Sequence, residues 1–181
     1  MITLTTVFIC GNPADNTLEE LMSRKLSESY RITYIKKGNI WQKGCGYEIT
    51  AVDFTRYESI SVEHPLLVLK KDALCDFSLT ESSTIIACAD NSRQINLLKN
   101  CDGHILTCGY SPRDTFSYSS LAENTVTVSL NREITALSGK KIQPLEIPLE
   151  IPAGADIYSL LAFTALRLLL DDFNSEIGNL Y

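Results

Sequence analysis

Positive charge is scarce in this chain of 181 residues: 16 lysines and arginines stand against 22 aspartates and glutamates, a formal net charge of -6. A nonspecific hold on nucleic acid or on an anionic membrane needs a basic surface, so neither is expected. Histidine is rarer still, with His64 and His104 alone available as bases, and no Gly-x-Ser-x-Gly elbow occurs. That speaks against a hydrolase triad. The six cysteines (Cys10, Cys45, Cys75, Cys88, Cys101, Cys108) form no close-paired framework, and several sit inside apolar runs where thiols simply pack. They read as reduced thiols of a cytoplasmic protein. The longest apolar run, Ile157 to Leu170, is broken by Arg167 and is shorter than the roughly 20 residues of a membrane span. The start, MITLTTVFIC, has neither a basic n-region nor a small-residue cleavage site and reads as a first strand rather than a signal peptide. Neither a repeat of solenoid period nor a low-complexity segment is found.

What is present reads as one domain over residues 1–181, long enough to bury roughly two thirds of its unfolded surface. The stretch Thr5 to Leu26, TTVFICGNPADNTLEELMSRKL, gives a short β-rich run, a turn at Asn12-Pro13 and an amphipathic helix. Leu18, Leu21, Met22 and Leu26 follow helical spacing, and Asn16 with Glu19 has the form of a capping box. In an α/β protein the backbone N–H groups of such a loop and helix start favour an anion. RITYI (31–35) predicts a second strand, and KKGNIWQKGCGYEITAVDF a hairpin or loop with a strand near Tyr47 to Val52. PLLVLK (65–70) and Ile85 to Ala89 are compact apolar runs suited to central parallel strands. A cluster Asp90-Asn91-Ser92 then opens a short helix, RQINLLKN, before the strand HILTC (104–108).

From Thr115 the pattern alternates: FSYSS, NTVTVSL, REITAL and PLEIPLEI, with Asn131-Arg132 and Ser138-Gly139 as turns, predict an antiparallel β-meander on the flank of the sheet. Asp156 caps a last helix, IYSLLAFTALRLLLDDF, whose polar residues Ser159, Thr164, Arg167 and Asp171 fall within a sector of roughly 140°, leaving the larger sector apolar. Such a helix needs cover on more than one side, from its own sheet and meander or from a subunit or protein partner. The tail NSEIGNLY reads as loosely held. The fold class expected is thus α/β: a mainly parallel, Rossmann-like or P-loop-like sheet flanked by helices, with a C-terminal meander.

Two further constellations are weak. Cys101, His104 and Cys108 have ligand types at metal-like spacing but come from one short segment. Arg113-Asp114, after Ser111-Pro112, reads as a surface turn with a local ion pair, and its place after a strand C-terminus leaves a binding role open. No metal ligand is assigned.

The order of IIACADN, a short helix, HILTCGYSPRDTFSYSS, a hairpin-rich stretch and IPLEIPAGADIYSLLAFTALRLL, over Thr84 to Leu170, resembles the later part of the Mur ligase central domain. The resemblance covers just under half the chain and rests on order and spacing. It places the first loop where that family carries its ATP-binding loop. The family's Thr-Gly-Thr-Asn-Gly-Lys-Thr-Thr then falls on Cys10, Gly11, Asn12, Pro13, Ala14, Asp15, Asn16 and Thr17, of which only the first Gly and the last Thr are kept. Asp15 stands where the phosphate-binding lysine belongs. A carboxylate about 4 Å from a phosphate oxygen costs roughly 4 kcal/mol at an effective dielectric near 20, and Glu19 and Glu20 already complement the helix dipole. The family's Asn-Ala-Asp-Asp falls on Cys88-Ala89-Asp90-Asn91, and its His-Asn pair on Ala155-Asp156. Its catalytic section has no counterpart, and Glu63-His64, the one acid-imidazole neighbour there, reads as a strand entry before Pro65.

The resemblance therefore implies Gly11, Asn12, Asn16, Thr17, Asp90, Asn91 and Asp156 as candidate ligand-binding residues, with no catalytic residue. The function expected is a noncatalytic binding or assembly module acting through its sheet edge or last helix, with no cofactor. The alternatives are a ligase component that still binds ATP with Mg, or a protein that binds a different small molecule.

Overall fold

The computed structural model describes residues 5–73, 83–99 and 101–172. Cys75 and the tail NSEIGNLY lie outside the described residues. The first strand, β1 (Thr5–Cys10), runs at the middle of a sheet and is followed by helix α1 (Thr17–Arg24) and a 3-10 turn at Leu26–Glu28. The helical spacing holds: Leu18, Leu21 and Met22 of α1, and Leu26 after it, are buried on the sheet.

The chain next forms β2 (Tyr30–Lys36) and β3 (Asn39–Lys43), an antiparallel hairpin whose two-residue link is Lys37-Gly38, with Gly38 at φ 74. It returns as β4 (Tyr47–Phe54), which inserts in parallel between β1 and β2. The central apolar runs become β5 (Leu66–Leu69) and β6 (Thr84–Cys88). Both are buried on two faces, apart from Thr84 at the start of β6. Helix α2 (Ser92–Leu98) leads to β7 (His104–Cys108), and β8 (Phe116–Leu121) and β9 (Thr125–Leu130) follow as a hairpin.

The meander differs from its expectation at one point. REITAL and KKI leave the sheet as a separate ribbon, β10 (Ile134–Thr135) with β11 (Lys141–Ile142), before β12 (Leu145–Glu150) pairs with β9. The reason is burial: Ile134, Ala136 and Ile142 join the main core, and the Leu137 N–H donates to Leu169 O at 2.8 Å. The described sheet order is β12-β9-β8-β7-β6-β5-β1-β4-β2-β3, parallel from β8 through β2 apart from the hairpin partners at each end.

Asp156 caps helix α3 (Ile157–Leu169), its carboxylate accepting from the Ser159 N–H at 3.1 Å and hydroxyl at 2.6 Å. All of α3 except Ile157 and Arg167 is buried, against α1 and strands β6, β7 and β8. The broad apolar sector is thus covered within the chain. No helix among the described residues is long and apolar enough to cross a membrane.

Candidate functional site

Successive connections move to opposite sides of β1, so the C-terminal ends of β1, β4 and β5 meet where the strand order reverses. In open α/β sheets that crevice is the usual ligand position. Here it is filled from below by a side chain. Lys70, directly after β5, is 2% exposed, and its Nζ donates to Asp15 O at 2.8 Å, Asn12 O at 3.1 Å and Asp53 Oδ2 at 2.8 Å. Two backbone carbonyls of the loop after β1 therefore point inward at an ammonium. A phosphate would need the opposite dipole there.

Four N–H groups of the loop and helix start are correspondingly engaged. Gly11 N–H donates to Phe54 O at 3.2 Å and Asp15 N–H to Asn12 O at 3.1 Å. Ala14 N–H donates to Asn12 Oδ1 and Thr17 N–H to Asp15 Oδ1, each at 3.0 Å. Pro13 has none to offer. Gly11 sits at φ 151, and a Cβ there would lie 2.5 Å from Lys70 Cβ, so the glycine makes room for the lysine stem.

Asp53 comes from β4 and is 2% exposed. It also accepts from Tyr34 Oη at 2.8 Å and lies 3.8 Å from Lys36 Nζ. Lys36 continues the network to Glu19 at 3.2 Å and to Asn16 Oδ1. Glu19 accepts from Trp41 Nε1 at 2.8 Å, and Trp41 stacks on Tyr34 with ring centroids 5.2 Å apart. Two lysines and two carboxylates balance, so the buried cluster is neutral and hydrogen-bonded, as burial of charge demands. This geometry corrects the expected capping box. Asn16 makes no side-chain cap bond, because Lys36 takes its carbonyl oxygen and Lys36 and Trp41 take Glu19.

The candidate residues separate into three places. Gly11, Asn12, Asn16 and Thr17 surround Lys70 or the start of α1. Asn16 and Thr17, with Glu20, Arg24 and Pro152 to Ala155, line a pocket of about 260 Å³ next to the N-terminal end of α3. Asp156 lies just beyond that wall and is occupied as a cap. Asp90 and Asn91 line a different, more open pocket of about 410 Å³ with Lys71, Asp72, Ser92 and Arg93. Asn91 caps α2, accepting from the Arg93 and Gln94 N–H groups, and donates to Lys71 O at 2.8 Å. Partial burial, reinforced by the Asp114 carboxylate, raises the Asp90 pKa.

Lys70, Asp53, Tyr34 and Lys36 were not singled out by the sequence. The signal was a lysine closing the apolar run PLLVLK and an aspartate at the inward-facing phase of ITAVDF. The metal-like spacing does not form a site: His104 and Cys108 open and close β7, roughly 13 Å apart at the usual strand rise. No group of three potential ligands occurs among the described residues. Cys108 instead neighbours Cys88 across the sheet, and burial pushes both thiols up, as for inert packing cysteines. Asp114 likewise does not pair with Arg113; its carboxylate accepts from Ser111 N–H at 3.1 Å inside the turn.

Buried phenols give the site a pH signature. Burial, with the Asp53 carboxylate adding to it, holds Tyr34 protonated far above the usual value of 10.0, and burial does the same to Tyr57. The unfolded chain ionises these phenols from about pH 10. Their stabilisation is complete below that and is lost as pH rises past it. The urea midpoint is expected to fall between about pH 10 and 11, and less steeply in Tyr34→Phe, which loses one of the two groups.

No family model matches the chain, and no curated protein sequence does. Solved structures do. A UDP-N-acetylmuramoyl-L-alanyl-D-glutamate–2,6-diaminopimelate ligase aligns over 94% of this chain and 44% of its own, with TM-score 0.59 and 11% identity. A murein peptide ligase from Psychrobacter arcticus aligns over 90% of this chain and 43% of its own, with TM-score 0.51 and 9% identity. The fold is Mur-ligase-like. At such identities the likeness concerns the fold alone, and the chain spans less than half the length of either ligase.

Within this Mur-ligase-like fold, β1, its loop and α1 form the strand-loop-helix described above, and the lysine ammonium beneath that loop comes from β5's end rather than from the loop itself.

Proposed function

We propose that this chain is a noncatalytic module on a Mur-ligase-like fold, with a degenerate phosphate loop, acting by binding or assembly in the cytoplasm. The observation that carries the reading is the Lys70 ammonium, held by Asn12 O, Asp15 O and Asp53 under the loop. A nucleotide phosphate would have to approach the carboxylates of Asp15 and Glu20 and compete for N–H groups already bonded. No cofactor is required in this reading: of its candidate residues, Asn91 and Asp156 serve as caps, Asn12 closes the turn onto the Ala14 N–H, and Asn16 is held by Lys36.

Thermal melting with Mg-ATP, Mg-ADP and a UDP-linked sugar at up to about 10 mM tests it. A site with a Kd near 0.1 mM would be at about a hundredfold excess and gain roughly 2.7 kcal/mol, a visible rise in Tm. The expected response is flat. A saturable rise with Mg-ATP would establish the alternative, a nucleotide-binding ligase component.

A second reading, a site for a different small molecule, is favoured by the pocket beside Asp90 and Asn91, which sets Lys71 and Arg93 against Asp72 and Asp90. A zwitterionic ligand would suit that mixed lining. Chemical-shift perturbation confined to residues 88–93 on adding free amino acids would support it, and the absence of any such perturbation would remove it.

A further inference from the structure

The helices cover the two faces of the sheet unequally. α1 and α3 pack on one face. On the other, Leu97 and Leu98 of α2 join Leu67, Leu69, Ile85 and Ala87 over β5 and β6. Among the described residues, the β4-β2-β3 part of that second face belongs to neither core cluster, whereas at its margin Phe8 of β1 and Phe54 of β4 pack edge-on against Tyr57.

Register places its side chains. Ile40, Ile35, Val52 and Phe8 stand in one row across β3, β2, β4 and β1. Gln42, Thr33, Thr50 and Thr6 form the next row. Arg31 and Glu48 close the face as an ion pair at 3.3 Å, both about half exposed. Ile40 is 69% exposed and Phe54, at the far end, 41%. Parallel sheets are ordinarily covered on both faces, and an exposed apolar patch with a polar rim marks an interface.

We propose that this face is where two copies of the chain pack, sheet on sheet, about a two-fold axis parallel to the strands between β2 and β4. That axis sets Ile35 opposite the partner's Val52 and brings Ile40 against the partner's Phe8 where it packs on Tyr57. It also sets Arg31 opposite the partner's Glu48, so the rim is self-complementary. The face itself is neutral while the chain carries -6, so two copies meet here without the repulsion that their acidic surfaces impose elsewhere. Packing at the usual spacing of about 10 Å between sheets covers the apolar row. The inference rests on the assembly reading and names its partner.

Sedimentation velocity of the full chain over a wide concentration range is the test. The expected mass rises from 20.1 kDa to twice that value. Ile40→Asp, at an exposed position, should weaken the dimer about tenfold or more, and Arg31→Glu likewise. The double exchange Arg31→Glu with Glu48→Arg should restore it, while Lys140→Glu, away from this face, should leave it unchanged. Melting of each variant at the lowest concentration checks the fold of the single chain. A monomer at every concentration, or a dimer indifferent to Ile40→Asp, would overturn the interface. Either result is separate from the nucleotide titration, which bears on the loop alone.

Discussion

Lys70→Met is expected to lower the unfolding free energy by about 3–5 kcal/mol, a fall in Tm of roughly 10 °C. The loss is not that of a surface contact. Both side chains of the Lys70–Asp53 pair are 1% exposed, and removing the ammonium leaves Asp53 with Tyr34 at 2.8 Å and Lys36 only at 3.8 Å. The carbonyls of Asn12 and Asp15 lose their donor at the same time. Asp53→Asn should be destabilising for the mirrored reason. Replacing both ions with apolar groups, Lys70→Met with Asp53→Leu, should recover part of the loss, because the desolvation of the remaining charge disappears. Urea unfolding with unchanged m-values would establish that stability rather than compactness has changed. A Lys70→Met protein within about 0.5 kcal/mol of the parent would mean that the ammonium is not held as described.

Gly11→Ala carries the second large effect, about 2–6 kcal/mol from two sources acting at one atom. At φ 151 an alanine is strained, and its Cβ would meet Lys70 Cβ at 2.5 Å. The neighbour is the root of the side chain rather than its flexible end, so it cannot swing away without breaking the three bonds at Nζ. The discriminating experiment is the pair of single variants with their combination. Because both act on the same packing, the double variant Gly11→Ala/Lys70→Ala should be much less destabilised than the sum of the two singles. Additive losses would separate the glycine from the lysine.

Most of the framework was legible in the sequence. The apolar runs LLVL and TIIAC are strands buried on two faces, the spacing of Leu18, Leu21 and Met22 is that of a packed helix, and Asn91 and Asp156 are caps. These features depend on local periodicity and on chemistry within three or four residues. The order of strands does not: β4 enters between β1 and β2 only because the β2-β3 hairpin turns the chain back, and no local pattern records that choice. The site was harder for the same reason. Lys70 and Asp53 are 17 residues apart, and Lys70 lies 55 from Asp15, so their meeting depends on the reversal of strand order beside β1. The capping box was misread because Asn16 and Glu19 face Lys36 and Trp41, partners supplied by a distant hairpin. The last helix shows the complementary case. Its composition required cover, and the ribbon β10-β11, invisible as a separate element in the alternating pattern, supplies part of it.

The Lys70 ammonium occupies the underside of the loop after β1. Its most direct measurement is the ¹⁵N–¹H spectrum of the lysine side chains at neutral pH. One ammonium signal protected from rapid exchange, absent in Lys70→Met and unmoved by Mg-ATP, is the expected result. A Lys70 signal exchanging as fast as those of exposed lysines, or one displaced by Mg-ATP, would contradict it.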